Sequence, residues 1–336
     1  MRMISTPRIW RFTPSEAIDA MVLCNAVSRH EHYASRYPGL REAWAERLGA
    51  DALRIIDEGM GLSMSGLAYV MSMLGAETLD AVVDALAQWD TLRPRLQADV
   101  GLRVRDAATV FGRLREAGFT EHWRGDVLPE LEAGAASLRG RAGAQPLRDV
   151  HRALCAFLGA DRAPAGTHVR LAWYIRPIAF QLPGGGMATH PQDVPSASRL
   201  GQLCVHESLH GFPGADAALA AQEHLMAREP EFSRHHTEFV QRWRSGPEEH
   251  LVTGAEAYLT ERLALRTREE CVAYLTLQNG GMPFAWAVYE RLRDAVGQME
   301  SGRSGWPGFG AWAARQMNEG RLRWPGADWP GGRPAG

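Results

Sequence analysis

Residues 204–210 read Cys-Val-His-Glu-Ser-Leu-His, and His206, Glu207 and His210 have the types and spacing of hydrolytic chemistry. Side chains four apart on an α-helix stand one above the other, so the imidazoles of His206 and His210 can share one cation. Glu207 is one step round the helix. That is too far for a ligand on the same side, yet close enough to take a proton from a metal-bound water. Two neutral imidazoles and a carboxylate suit zinc and leave one position open for water or substrate.

Such a motif needs a helix, and the flanking residues provide one. Pro195 and Ser196 are a start signal, Leu200 and Leu203 give an apolar face, and Gly211-Phe212-Pro213-Gly214 ends the pattern. A third ligand must come from another element. The carboxylates downstream are Glu223, Glu229, Glu231, Glu238, Glu248, Glu249 and Glu256, with His224, His235, His236 and His250 as nitrogen alternatives. A second helical pattern runs from Pro247 to Leu265. On it Val252, Glu256, Leu259 and Leu263 form an apolar stripe interrupted by one carboxylate. A buried carboxylate needs a partner, which a zinc ion or an arginine would supply. Glu256 is therefore the expected third ligand. Glu249, two turns earlier on the same face, is the second choice, and His250 and Glu261 are expected in solvent.

The rest of the chain bounds the answer. Residues 15–160 read as helices, among them Glu77–Trp89, Ala107–Ala117, Leu128–Leu138 and Arg148–Leu158. From His168 to Leu182 the apolar residues Val169, Leu171, Trp173 and Ile175 alternate with polar or small ones, which is strand periodicity, and Pro177 makes it an edge strand or splits it. Gly184-Gly185-Gly186 reads as a hairpin turn, and the Pro- and Gly-rich tail from Trp324 as frayed. The chain thus divides into a helical region (1–160), a metal-binding domain (161–300) and a C-terminal extension (301–336). All 37 cationic side chains are arginine, which excludes a catalytic lysine, and a net charge of −2 leaves no global basic field for nucleic acid or an anionic membrane. No stretch approaches the ~20 apolar residues of a membrane span. The four cysteines are scattered, as in a reduced cytoplasmic protein.

At these residues the chain resembles the gluzincin class of zinc metallopeptidases, over about His168 to Leu265. That resemblance implies a mainly α fold with a small antiparallel β-sheet, a zincin-like α+β domain whose edge strand receives extended substrate. It implies His206, His210 and Glu256 as zinc ligands, Glu207 as general base, and a peptide or protein substrate. The interval from His210 to Glu256 is longer than in many members, no third histidine follows Gly211, and no clear oxyanion-stabilising group stands out beyond Tyr258 and Tyr274. The same donor set also resembles that of HExxH enzymes akin to iron and 2-oxoglutarate-dependent oxygenases, which would hold Fe2+ and anchor a co-substrate carboxylate on an arginine such as Arg170, Arg176 or Arg199. A binding domain that keeps the motif without catalysis is the third reading.

Overall fold

Side-chain caps and glycines in the left-handed region divide the chain into short helices. The computed structural model describes residues 10–96, 101–142, 145–159, 167–243, 245–277, 281–300, 305–326 and 329–331. Among these residues the fold is mainly helical with one four-stranded sheet. It forms two units: residues 1–143 with 165–195, and residues 144–164 with 196–336.

In the first unit, helices Glu16–Ala26, Leu79–Ala87, Val104–Glu116 and Leu128–Arg141 are among those observed. Thr78 caps Leu79–Ala87 by accepting from the Ala81 amide, and of the apolar residues at helical spacing Leu79, Val82, Leu86 and Trp89 are buried while Val83 is half-buried. The sheet joins β1 (Trp10–Pro14), β2 (Thr167–Leu171), β3 (Phe180–Leu182) and β4 (Gly186–Thr189) in the order β1-β2-β4-β3. Only the β3–β4 hairpin is antiparallel, and both β1–β2 and β2–β4 are parallel. The expected antiparallel sheet is therefore a mixed one. The alternating segment also breaks in two at Pro177. Its first half, β2, is flanked on both sides, so its backbone groups are already paired and no edge is left there for a substrate strand. The glycine run is the expected hairpin turn, with φ of 71° at Gly184 and 76° at Gly185.

In the second unit the motif helix spans Ala197–Leu209, and an acid helix spans Glu249–Arg262. Around them lie Gln145–Leu158, Ala215–Arg228, Pro230–Trp243, Arg268–Leu277, Pro283–Glu300 and Phe309–Asn318. The acid helix is buried on every side from His250 to Thr260, which is the pattern of a helix at the centre of a bundle. Its neighbours come very close: a Cβ on Gly254 would meet the Ala285 carbonyl oxygen at 2.5 Å, and one on Gly201 of the motif helix would meet Leu265 at 2.9 Å.

These units cut the chain differently from the expected domains. Residues 165–195 belong with the N-terminal helices, and residues 305–326 belong to the second unit rather than to an extension. The expected boundary at 160–161 lies outside the described residues, as does part of the tail. Trp324, however, is docked: its ring stacks on Phe232 at 5.4 Å and its amide donates to Glu229 Oε2 at 2.8 Å. Among the described residues no helix is long and apolar enough to cross a membrane.

Candidate metal centre

The motif helix is capped at Ser196, whose Oγ accepts from the Arg199 amide, and stops at Leu209, with Gly211 in the left-handed region at φ 66°. His210 is therefore the C-cap residue, in extended backbone, yet its ring still meets that of His206, with Nε2–Nε2 3.3 Å apart. The acid helix begins opposite them. Glu249 Oε1 lies 3.6 Å from His206 Nε2, and Glu249 Oε2 lies 3.8 Å from His210 Nε2. His206, His210 and Glu249 form a group able to hold one metal ion.

The opposite ring nitrogens fix the tautomers. His206 Nδ1 is 2.9 Å from Glu256 Oε2, and His210 Nδ1 is 2.9 Å from Glu248 Oε1. An ionised carboxylate only accepts, so each Nδ1 carries an N–H, and Nε2 is the nitrogen left with a lone pair when the ring is neutral. Two Nε2 atoms and a carboxylate thus face a common point. Like dipoles and charge converging in this way require a cation, either protons or a metal.

The spacings also fit an ion. With metal–ligand bonds of about 2.1 Å, ligand–ligand edges are about 3.4 Å in a tetrahedron and about 3.0 Å between neighbours in an octahedron. The Nε2–Nε2 edge of 3.3 Å falls between these two values, and Glu249 presents a different oxygen to each imidazole, Oε1 at 3.6 Å from His206 and Oε2 at 3.8 Å from His210.

Glu256, the expected third ligand, is turned to the other nitrogen of His206. Both of its oxygens are engaged: Arg266 donates to Oε1 at 2.8 Å, and the Tyr274 hydroxyl donates to Oε2 at 2.7 Å beside His206. The carboxylate is 2% exposed. Burial alone would raise its pKa, but Arg266 and His206 outweigh that and hold it down at about 2. Glu256 is thus an ionised group that orients an imidazole, and the near face belongs to Glu249. Glu248, not singled out above the other acids, plays the matching part for His210. Of the other candidates, Glu223, Glu231 and Glu238 are exposed, and Glu229 is bonded to Trp324.

In the metal-free protein protons replace the cation. Burial would lower the pKa of His206, yet Glu249 and Glu256 outweigh it and raise it to about 10. The pKa of His210 is also raised, against burial, chiefly by Glu248. Glu207 is 4% exposed, and desolvation raises its pKa, opposed by both histidines. A carboxylate tuned upward is a better proton acceptor and donor near neutrality.

No protein-family model, curated protein or solved structure matches this chain. Function must therefore be read from the site's own chemistry.

Two expectations about the acid helix change. His250 is wholly buried among Phe232, Phe239 and Phe284, because this helix has no solvent face from His250 to Thr260, whereas Glu261, just beyond that stretch, is half-buried and accepts from Tyr289 at 2.6 Å. Of the two tyrosines considered for the oxyanion, Tyr274 is bonded to Glu256, and Tyr258 is 3% exposed with its hydroxyl accepting from Arg262 at 3.1 Å.

Proposed function

We propose that this protein is a zinc-dependent hydrolase of peptide bonds, with His206, His210 and Glu249 as ligands and Glu207 as general base. The convergence of two His Nε2 atoms and the Glu249 carboxylate on one point carries the reading. When bound, the ion supplies Lewis acidity and brings the pKa of a water toward ~7. Glu207 then takes the proton of the attacking water and returns it to the leaving amine. Glu256 and Glu248 hold the two imidazoles in the tautomer that points Nε2 inward. The ligand rings are each 19% exposed, so water and substrate can approach from one side while Arg266, Tyr274 and Glu256 keep the other side dry.

The test is metal analysis of protein purified without added metal, followed by Glu207→Gln. Zinc near one per chain, retained by a variant whose peptide hydrolysis falls by several orders of magnitude, is the expected result. Iron at one per chain would replace this reading by the oxygenase, and a metal-free active protein would remove it.

A further inference from the structure

Of the three arginines that the sequence offers as anchors for a carboxylate, two are already occupied. Arg170 pairs with Glu77, and Arg176 pairs with Asp193 at 2.9 Å. Arg199 is different. Among the described residues it forms no ion pair, and its guanidinium meets only the neutral side chain of Gln202, whose Oε1 lies 3.4 Å from its Nη1. Gln202 is itself fixed, since its Nε2 donates to the Leu265 carbonyl at 2.8 Å. A half-buried cation is thus held in place by an amide and left without a counter-charge.

Its position relates it to the metal centre. Arg199 and His206 lie on one helix, seven residues apart, so they are two turns apart on nearly the same face, about 10 Å along the axis. Helical side chains lean toward the N-terminus, which carries the guanidinium away from the ion rather than over it. A carboxylate bound there sits too far from the metal to belong to a small chelating co-substrate. The distance matches about three residues of extended peptide at ~3.3 Å each. The metal centre is surrounded by carboxylates, namely Glu207, Glu248, Glu249 and Glu256, whereas Arg199, two turns away on the same helix, carries a positive charge that no described carboxylate neutralises.

We propose that Arg199 determines specificity, binding a substrate carboxylate about three residues from the scissile bond. This rests on the metallohydrolase reading above. Two sources share that chemistry: the C-terminal carboxylate of a short peptide, or an Asp or Glu side chain within a longer one.

The experiment uses succinyl hydroxamates, which chelate zinc, extended by one to four alanines. Each is made with a free C-terminal carboxylate and as the amide, and a further amide-terminated probe carries aspartate at the third position. Affinities are measured by competition on zinc-loaded full-length protein. A charge-assisted bidentate contact predicts that one carboxylate probe, of about three residues, binds about 10–100-fold more tightly than its amide. Arg199→Gln, at wild-type zinc content, should bring that ratio to about one. If the aspartate probe matches the free carboxylate, the side chain is the natural group; if it does not, the C-terminus is. A ratio unchanged in Arg199→Gln, or near one at every length in the wild type, overturns the assignment of Arg199. Absence of zinc, or failure of every hydroxamate including the amides, would instead bring down the metal centre and this proposal with it.

Discussion

Glu249→Gln and Glu256→Gln should separate metal binding from stability in opposite directions. Glu249 is 17% exposed at its side chain and faces two imidazoles across the ion's position. Structural zinc sites of four ligands bind with about 10–16 kcal/mol, or about 3–4 kcal/mol per ligand, so losing Glu249 should weaken zinc by about 10^2–10^3-fold. The metal-free variant should lose less stability than Glu256→Gln, because Glu249 helps hold the His206 imidazolium but Glu256 still pairs with that ring. Glu256 reports the reverse. Replacing it leaves Arg266, 8% exposed, without its counter-charge, and breaking a buried pair in this way destabilises by about 3–5 kcal/mol. Zinc should weaken only about 10–100-fold, the usual effect of removing a group that orients a ligand. Denaturant unfolding of the metal-free proteins, together with chelator competition for zinc, measures both quantities. If Glu256→Gln weakened zinc as severely as losing a ligand while Glu249→Gln bound normally, the assignment of the two acids would be reversed.

His206→Ala and His210→Ala should each abolish stoichiometric zinc, as read by elemental analysis after gel filtration. Zinc binding should release protons, because His206 titrates near 10 without metal and must be neutral to ligate. Affinity should thus rise about tenfold per pH unit for each proton displaced, measured by calorimetry in buffers of different ionisation enthalpy. The same shift makes the metal-free form lose stability as pH rises. A folded pKa above the ordinary value of 6.5 stabilises fully below that value and is lost as pH passes about 10, whereas the zinc form should not respond through this group. Gly254→Ala should destabilise by about 1–3 kcal/mol, since its Cβ would press on the Ala285 carbonyl and Val288 in a closely packed helix pair, as thermal unfolding would show.

The metal helix is legible in the sequence because its information is local: a cap, an apolar face, two histidines one turn apart and a glycine stop. The choice between Glu249 and Glu256 is not. They lie two turns apart on one face, and periodicity treats them alike. What separates them is Arg266 and Tyr274, 10 and 18 residues beyond Glu256, which no helical period connects to it. β1 is hidden for a related reason, since its five residues pair with a strand more than 150 positions later, and contacts that distant leave no local pattern. The burial of His250 shows the limit of amphipathic reasoning. A helix at the centre of a bundle has no polar side, so a polar residue on it marks an inner contact rather than the surface.

An ion at this centre would also act as a cross-link. It would join the end of the motif helix, at His210, to the first turn of the acid helix, at Glu249, closing a loop of about 40 residues. Closing a loop of that length in the unfolded chain is worth about 4 kcal/mol by the chain-entropy relation used for disulfides. The helices Ala215–Arg228 and Pro230–Trp243 lie inside that loop, and none of their described residues belongs to the metal-binding group. They should nonetheless gain protection from amide hydrogen exchange when zinc is added, because the metal restricts the chain on which they are strung.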